Sequence, residues 1–264
     1  MQRTIRTMDD VLGMLDKLFV SGASGAAGAS CVSGGAGAAG VSGAVGASGA
    51  AEWWDRFYAD RGRAVPFFAA KPDENLMSAC DRGLLVPGRA LDLGCGPGRN
   101  AVYLASRGFS VDAVDLSPAA VAWAEERARE AGVRVRFHCA SIFSAALPPG
   151  PYDLVYDSGC LHHLPPHRRV SYLGLLDRVL APGGYFGVAC FAAGAMGCEL
   201  ADDEVYREGS LGGGLAYSPE ELRWIFSELT EVEMRPMAEQ PEDSAAFGVP
   251  FLLTALFRRP RGGL

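Results

Sequence analysis

The sequence lacks several signals at once, and each absence removes a class of function. No Cys-x-x-Cys pair occurs: the seven cysteines, at 31, 80, 95, 139, 160, 190 and 198, are odd in number and scattered. That pattern speaks against a zinc framework or a disulfide set. It points instead to reduced thiols in a cytoplasmic protein without a metal site. Basic charge is neither abundant nor clustered. With a formal net charge of −7 and a pI near 5.2, the chain cannot neutralise a phosphate backbone broadly, so no nucleic-acid partner is expected. No stretch has the length and hydrophobicity of a membrane span, so no membrane partner is expected either. Arg3 and Arg6 precede Asp9, Asp10 and Asp16, which interrupt any apolar run, so the N-terminus does not read as a signal peptide.

What is present centres on residues 89–100, Arg-Ala-Leu-Asp-Leu-Gly-Cys-Gly-Pro-Gly-Arg-Asn. Ala90, Leu91 and Leu93 read as a short strand carrying Asp92. Gly94, Gly96 and Gly98 read as a tight turn into a helix that starts at about Arg99. Glycine permits positive φ and lets a ligand lie against the backbone. The helix N-terminus behind the turn offers N–H groups to a carboxylate or phosphate, and Asp92 could hold an ammonium group over it. A second strand, Phe109 to Val114, ends in Asp115. It lies about 20 residues past the glycines, the offset at which a βαβ unit presents a carboxylate to a ribose. A nicotinamide site favours Gly-x-Gly-x-x-Gly. Here Arg99 stands where the third glycine would fall, which points to a smaller nucleoside ligand.

Four ordered motifs carry a resemblance: Asp-Leu-Gly-Cys-Gly-Pro-Gly at 92–98, Val-Asp-Ala-Val-Asp-Leu-Ser-Pro at 111–118, Tyr-Asp-Leu-Val-Tyr-Asp at 152–157 and Ala-Pro-Gly-Gly-Tyr-Phe at 181–186. Together they resemble the class I S-adenosylmethionine-dependent methyltransferases, over roughly residues 53–258. The Trp…Tyr…Pro pattern of residues 53–68 is similar to the segment that helps close the site in thiopurine, thiol/halide and tellurite-resistance methyltransferases. The resemblance implies an α/β, doubly wound Rossmann-like sheet, mostly parallel with an antiparallel last strand and helices on both faces. It implies S-adenosylmethionine as cofactor, held by Trp54, Asp92, Gly94, Cys95, Gly96, Asn100, Asp115, Leu116, Ser117, Ser141, Ile142 and Asp157. Ser141-Ile142-Phe143 departs from the family's common Asp-x-Phe, so a hydroxyl stands where a carboxylate would accept from the adenine amino group.

The catalytic candidates are Asp157, Tyr58 and His162. Asp157 ends the fourth strand, at the sheet edge where open α/β sheets bind ligands. It would contact the methionine portion of the cofactor or serve as a base for the substrate. Trp54 and Tyr58 would form a roof whose ring faces attract a sulfonium and exclude water. His162 belongs to the loop after Asp157. A metal is not expected there, because Pro165 and Pro166 keep His163 and His167 off one regular helix.

Residues 1–20 hold an amphipathic helix, Met8 to Phe19, read as a docking element or a lid. Residues 21–51 are Gly, Ala and Ser rich and read as a flexible linker. Residues 52–264 form the methyltransferase domain. Within it, the irregular stretch Ala192 to Ala216 is expected to cover the acceptor. The partner is a small-molecule substrate, with no obligate protein partner. A thiol is the favoured acceptor, since a free pKa of about 8.5 makes it need little general base. O- or N-methylation of a natural-product intermediate is the alternative, followed by cofactor binding without catalysis.

Overall fold

The computed structural model describes residues 2–21, 47–148 and 150–261. Seven strands form one sheet: β1 (Arg89–Leu93), β2 (Ser110–Asp115), β3 (Val135–Cys139), β4 (Tyr152–Ser158), β5 (Leu180–Phe191), β6 (Thr230–Pro236) and β7 (Leu252–Arg258). Their order is β3-β2-β1-β4-β5-β7-β6. The first five pair in parallel, and β7 lies antiparallel between β5 and β6. This is the doubly wound, mostly parallel architecture expected. The order reverses between β1 and β4, the switch point at which such sheets open a ligand crevice.

Eight helices are described: α1 (Met8–Ser21), α2 (Ala47–Ala59), α3 (Glu74–Asp81), α4 (Arg99–Ser106), α5 (Pro118–Glu130), α6 (Arg168–Val179), α7 (Asp202–Glu208) and α8 (Pro219–Ile225). Local chemistry starts two of them as the sequence indicates. Ser117 caps α5 by accepting from the Ala120 amide, with Pro118 next, and Ser218 and Glu221 form a reciprocal capping box on α8. The central strands are apolar on both sides. Leu91, Leu93, Val155, Phe186 and Val188 pack under α6 and α8. Ala90, Val111, Ala113 and Leu154 pack under α3 and α4.

Two expectations change. Helix α2 begins at Ala47, inside the segment read as a linker, because its alanines favour helix once they lead into the aromatic run. The rest of that segment, residues 22–46, lies outside the described residues. Helix α7 forms within the stretch read as irregular. Asp202, Asp203 and Glu204 suit its first turn, and Glu204 accepts from the Ala201 amide at 2.8 Å. Strand β5 also takes in Ala181 to Gly184. A Cβ on Gly184 would sit 2.9 Å from the Ala181 carbonyl, so the backbone closes up there.

The N-terminal segment docks through its first residues and through Met14 of α1, while Leu12 and Leu15 of that helix are exposed. Arg3 is fully buried. Its guanidinium donates to Asp202 and to the carbonyls of Cys198, Leu200 and Ala216. Arg169 grips the same carboxylate from the other side at 2.8 Å and also bonds the Ile5 carbonyl. Burial alone would raise the Asp202 carboxyl, but the hydrogen bond and charge of Arg169 override it and hold it below the usual range. The Arg3 amide donates to Glu221 at 2.9 Å. Residues 2–5 thus staple the 198–216 segment to α6 and α8. Breaking a buried ion network by removing one partner costs about 3–5 kcal/mol. Arg3→Ala should therefore lower the urea unfolding midpoint clearly, and an unchanged midpoint would show that the N-terminal segment is not part of the folding unit.

Candidate functional site

The carboxyl ends of β1, β2 and β4 bring Asp92, Asp115 and Asp157 together at the switch point. In register, Asp92 lies beside Tyr156 and Leu93 beside Asp157. All three carboxyl groups are buried, yet their surroundings differ. Asp115 accepts from the Gly96 amide at 2.8 Å and the Ser117 amide at 2.9 Å. Burial raises its carboxyl to about 6, and those amide bonds restrain the rise. Each of its oxygens keeps a further lone pair for a ligand hydroxyl. Asp92 has no such support. Its Oδ2 is buried without a hydrogen-bond partner among the described residues. Burial pushes its carboxyl up to about 8, with the Arg99 charge pulling down and Asp73, Asp157 and Asp115 adding to the rise. At neutral pH Asp115 is charged and Asp92 holds its proton.

The glycine turn is crowded from above. A Cβ on Gly94, at φ 66°, would lie 2.7 Å from the Cys160 Cβ. One on Gly96, at φ 51°, would lie 2.9 Å from the Tyr58 hydroxyl. Tyr58 stacks on Trp54 and Phe68 at 5.7 Å each. The aromatic rings of α2 thus stack beside the glycine turn, and Tyr58 reaches it. Burial first, then the Asp115 charge, drive its phenol pKa well up, so it stays a neutral donor and does not act as a base. Asp55 fixes the roof by accepting from the Ser117 hydroxyl at 3.0 Å and the Ala119 amide at 2.8 Å.

Several expected cofactor contacts are committed elsewhere. Asn100 uses both side-chain groups on Asp73, at 2.9 and 3.0 Å. The Ser117 hydroxyl serves Asp55 and the Ala120 amide. The Cys95 side chain joins the core under α4, which leaves its backbone to the turn, and Ile142 joins the core under α6. Ser141 accepts weakly from the Phe143 amide at 3.3 Å. Leu116 is half-buried, beside the Cys139 thiol. Arg99 was absent from the expected site, though it follows the glycine turn directly. Its guanidinium bonds Asp73 and, at 2.9 Å, the Ser158 hydroxyl. Its charge pulls the Asp92 carboxyl down.

Asp157 is turned into its own loop. It accepts from the Cys160 amide at 2.8 Å, the Leu161 amide at 3.1 Å and the Tyr172 hydroxyl at 2.7 Å. Burial raises it to about 6, with Tyr172 and the loop amides restraining the shift. Its oxygens hold the loop, so it shapes the site rather than serving as the substrate's base. His162 also departs from expectation. Its Nδ1 accepts from the Phe191 amide at 3.1 Å, and burial pushes its pKa well down. A neutral ring bonded this way carries its proton on Nε2 and has no lone pair to offer as a base. Among the described residues no group of His, Cys, Asp and Glu could hold a metal ion, and no helix is long and apolar enough to cross a membrane. Hydrogen bonds to a charged group contribute about 1.5–3 kcal/mol each. Asp157→Ala should thus lower the melting temperature by several degrees, and a variant of full stability that loses all turnover would restore Asp157 as a base.

Residues 90–184 match a family described as a methyltransferase domain. The chain is 31% identical over 132 residues to the 2-heptyl-1-hydroxyquinolin-4(1H)-one methyltransferase of Mycobacteroides abscessus, covering 50% of this chain and 58% of that protein. It therefore spans about three fifths of that relative's length. A solved structure concerned with conversion of a disulfide bond into a thioacetal group during echinomycin biosynthesis superimposes with TM-score 0.61 at 22% identity, over 81% of this chain and 94% of that one. The 1,6-didemethyltoxoflavin-N1-methyltransferase of Burkholderia thailandensis, with its substrate and S-adenosylhomocysteine bound, gives 0.58 at 23% identity, over 80% and 88%. At these identities the superpositions establish the fold. Residues 90–184 are thus similar to a methyltransferase domain, and the sheet is shared with these structures.

Proposed function

We propose that the protein transfers a methyl group from S-adenosylmethionine to a small-molecule acceptor. The observation that carries this reading is the orphaned Asp92 oxygen beside the glycine turn. A buried carboxyl that keeps its proton for want of a partner suits an incoming ammonium, which the methionine end of the cofactor provides. The other residues fit the same ligand. Asp115 has lone pairs for two ribose hydroxyls, the α4 N-terminus faces the turn, and Arg99 offers positive charge near a carboxylate. Trp54 and Tyr58 present ring faces suited to a sulfonium.

When bound, the cofactor supplies an activated methyl group with a neutral thioether as leaving group. The chain's own residues then have little covalent chemistry to do. They orient the acceptor in line and keep water out, and proximity contributes most of the rate. Asp157 holds the loop after β4 in place for this. The 192–216 segment, stapled by Arg3, covers the acceptor side.

The nature of the acceptor atom is part of the proposal. The aromatic pattern of residues 53–68 favours a thiol, which needs little base. The relatives named for a hydroxyquinolinone and a toxoflavin precursor favour a ring oxygen or nitrogen. Binding without catalysis remains the reading from another class, and detection of S-adenosylhomocysteine release separates it. Asp115→Ala should weaken S-adenosylmethionine binding about tenfold to a hundredfold, from the loss of charge-assisted hydrogen bonds. Calorimetry checks this, and an unchanged affinity would remove Asp115 from the ribose.

A further inference from the structure

Two histidines stand side by side in the turn Leu161–His163, their ring centroids 4.3 Å apart. Their chemistry is opposite. His162 lies flat on Phe191, with centroids 3.8 Å apart and planes 9° from parallel, and its Nδ1 is taken by the Phe191 amide. The His163 ring has no such bond: its Nδ1 is buried with no hydrogen-bond partner among the described residues, and burial lowers its pKa to about 4, so the ring is neutral at neutral pH. A neutral imidazole carries one proton and one lone pair, and with the proton on Nε2 the lone pair falls on Nδ1. A buried acceptor left unmet costs about 1–3 kcal/mol. His163 Nδ1 is thus a lone pair waiting for a donor.

Its neighbours are aromatic. Trp54 meets the His163 ring edge-to-face at 4.8 Å, and Phe191 meets it at 6.0 Å. Phe251 continues from Phe191 at 6.4 Å. Phe67 packs both against the roof rings and against the cluster that holds Phe191 and Phe251. The site also borders the cofactor's place, since Trp54 stacks on Tyr58 and Tyr58 reaches Gly96. Ring pairs of this kind contribute about 0.5–1.5 kcal/mol each. The walls reward a flat aromatic ligand, and the lone pair rewards one that brings a proton.

We propose that the acceptor is a planar aromatic compound bearing an ionisable ring O–H or N–H, and that His163 Nδ1 receives its proton. The inference rests on the methyltransferase reading above and names that site's substrate class. In the step, the acceptor oxygen or nitrogen forms the bond to the methyl carbon as the methyl–sulfur bond breaks. The bonding pair leaves with sulfur, and the acceptor's proton passes to His163 Nδ1. An alkyl thiol fits less well. Its S–H is a weak donor, and it has no ring face for Trp54 and Phe191.

The test measures turnover to S-adenosylhomocysteine on the full chain, with a series of substituted phenols and hydroxyquinolines of graded acidity and with alkyl thiols. His163→Gln and His163→Ala are compared with the parent protein. Cofactor affinity by calorimetry shows that the variants remain folded at the site. General-base catalysis contributes about 10²–10⁴-fold. Both variants should lose at least about a hundredfold in kcat on weakly acidic acceptors while keeping cofactor affinity, and the loss should shrink as the acceptor becomes more acidic. Added imidazole should restore part of the rate to His163→Ala. Unchanged kcat in the variants, a loss independent of acceptor acidity, or faster turnover of alkyl thiols than of any aromatic would overturn the proposal. No cofactor binding by the parent protein would instead sink the methyltransferase reading itself, and this inference with it.

Discussion

Carboxyl groups crowd the C-terminal edge of the central strands, and the architecture above that edge is arranged around their charge. Asp115 is kept ionised by backbone amides of the glycine turn and of α5. Asp157 is kept so by its loop and Tyr172. Asp73, also buried, takes Arg99, Asn100 and the Tyr156 hydroxyl. Among the described carboxyl groups, Asp92 alone is left with a buried unmet oxygen. Three negative charges nearby and one guanidinium make ionisation of a fourth carboxyl unfavourable until a cation arrives. A parallel sheet that converges its strand ends at one switch point makes such crowding hard to avoid, and a cationic ligand relieves it.

The surrounding elements are tied to that edge by polar side chains of high sequence separation. Asp55 pins the aromatic roof to the first turn of α5. Arg3, Arg169 and Asp202 lash the N-terminus to the segment proposed to cover the acceptor side. The glycine turn, the roof and the cover are therefore held by different contacts. The turn is set by local backbone geometry, the roof by ring stacking with one carboxylate, and the cover by a buried ion network. Charge-assisted bonds of this kind fix geometry as well as contributing energy.

The fold was legible in the sequence because its signals are local. Apolar runs, glycines and caps repeat the βαβ pattern without reference to distant residues. Asp92 and Asp115 were legible for the same reason, since spacing along the chain sets which strand end each occupies. Asn100, Ser117 and Ile142 are held by partners far off in sequence, Asp73 for Asn100, Asp55 for Ser117 and the α6 core for Ile142, and no local pattern reports those contacts. The choice between His162 and His163 depends on an amide of β5, 29 residues from His162, and no local pattern reports it. The buried Arg3 was invisible because an N-terminal arginine ordinarily reads as solvated.

The central claim is that Asp92 holds a proton until the cofactor's ammonium displaces it. The most direct measurement is calorimetric titration of S-adenosylmethionine at pH 6.5 in two buffers of unlike ionisation enthalpy, on the parent protein and on Asp92→Asn. A group at about 8 is protonated at that pH, and an adjacent ammonium favours its ionised form. Binding should therefore release close to one proton from the parent protein, should release less as the pH rises past about 8, and should be weaker and proton-neutral in Asp92→Asn. Equal affinity and equal proton balance in the two proteins would contradict the account.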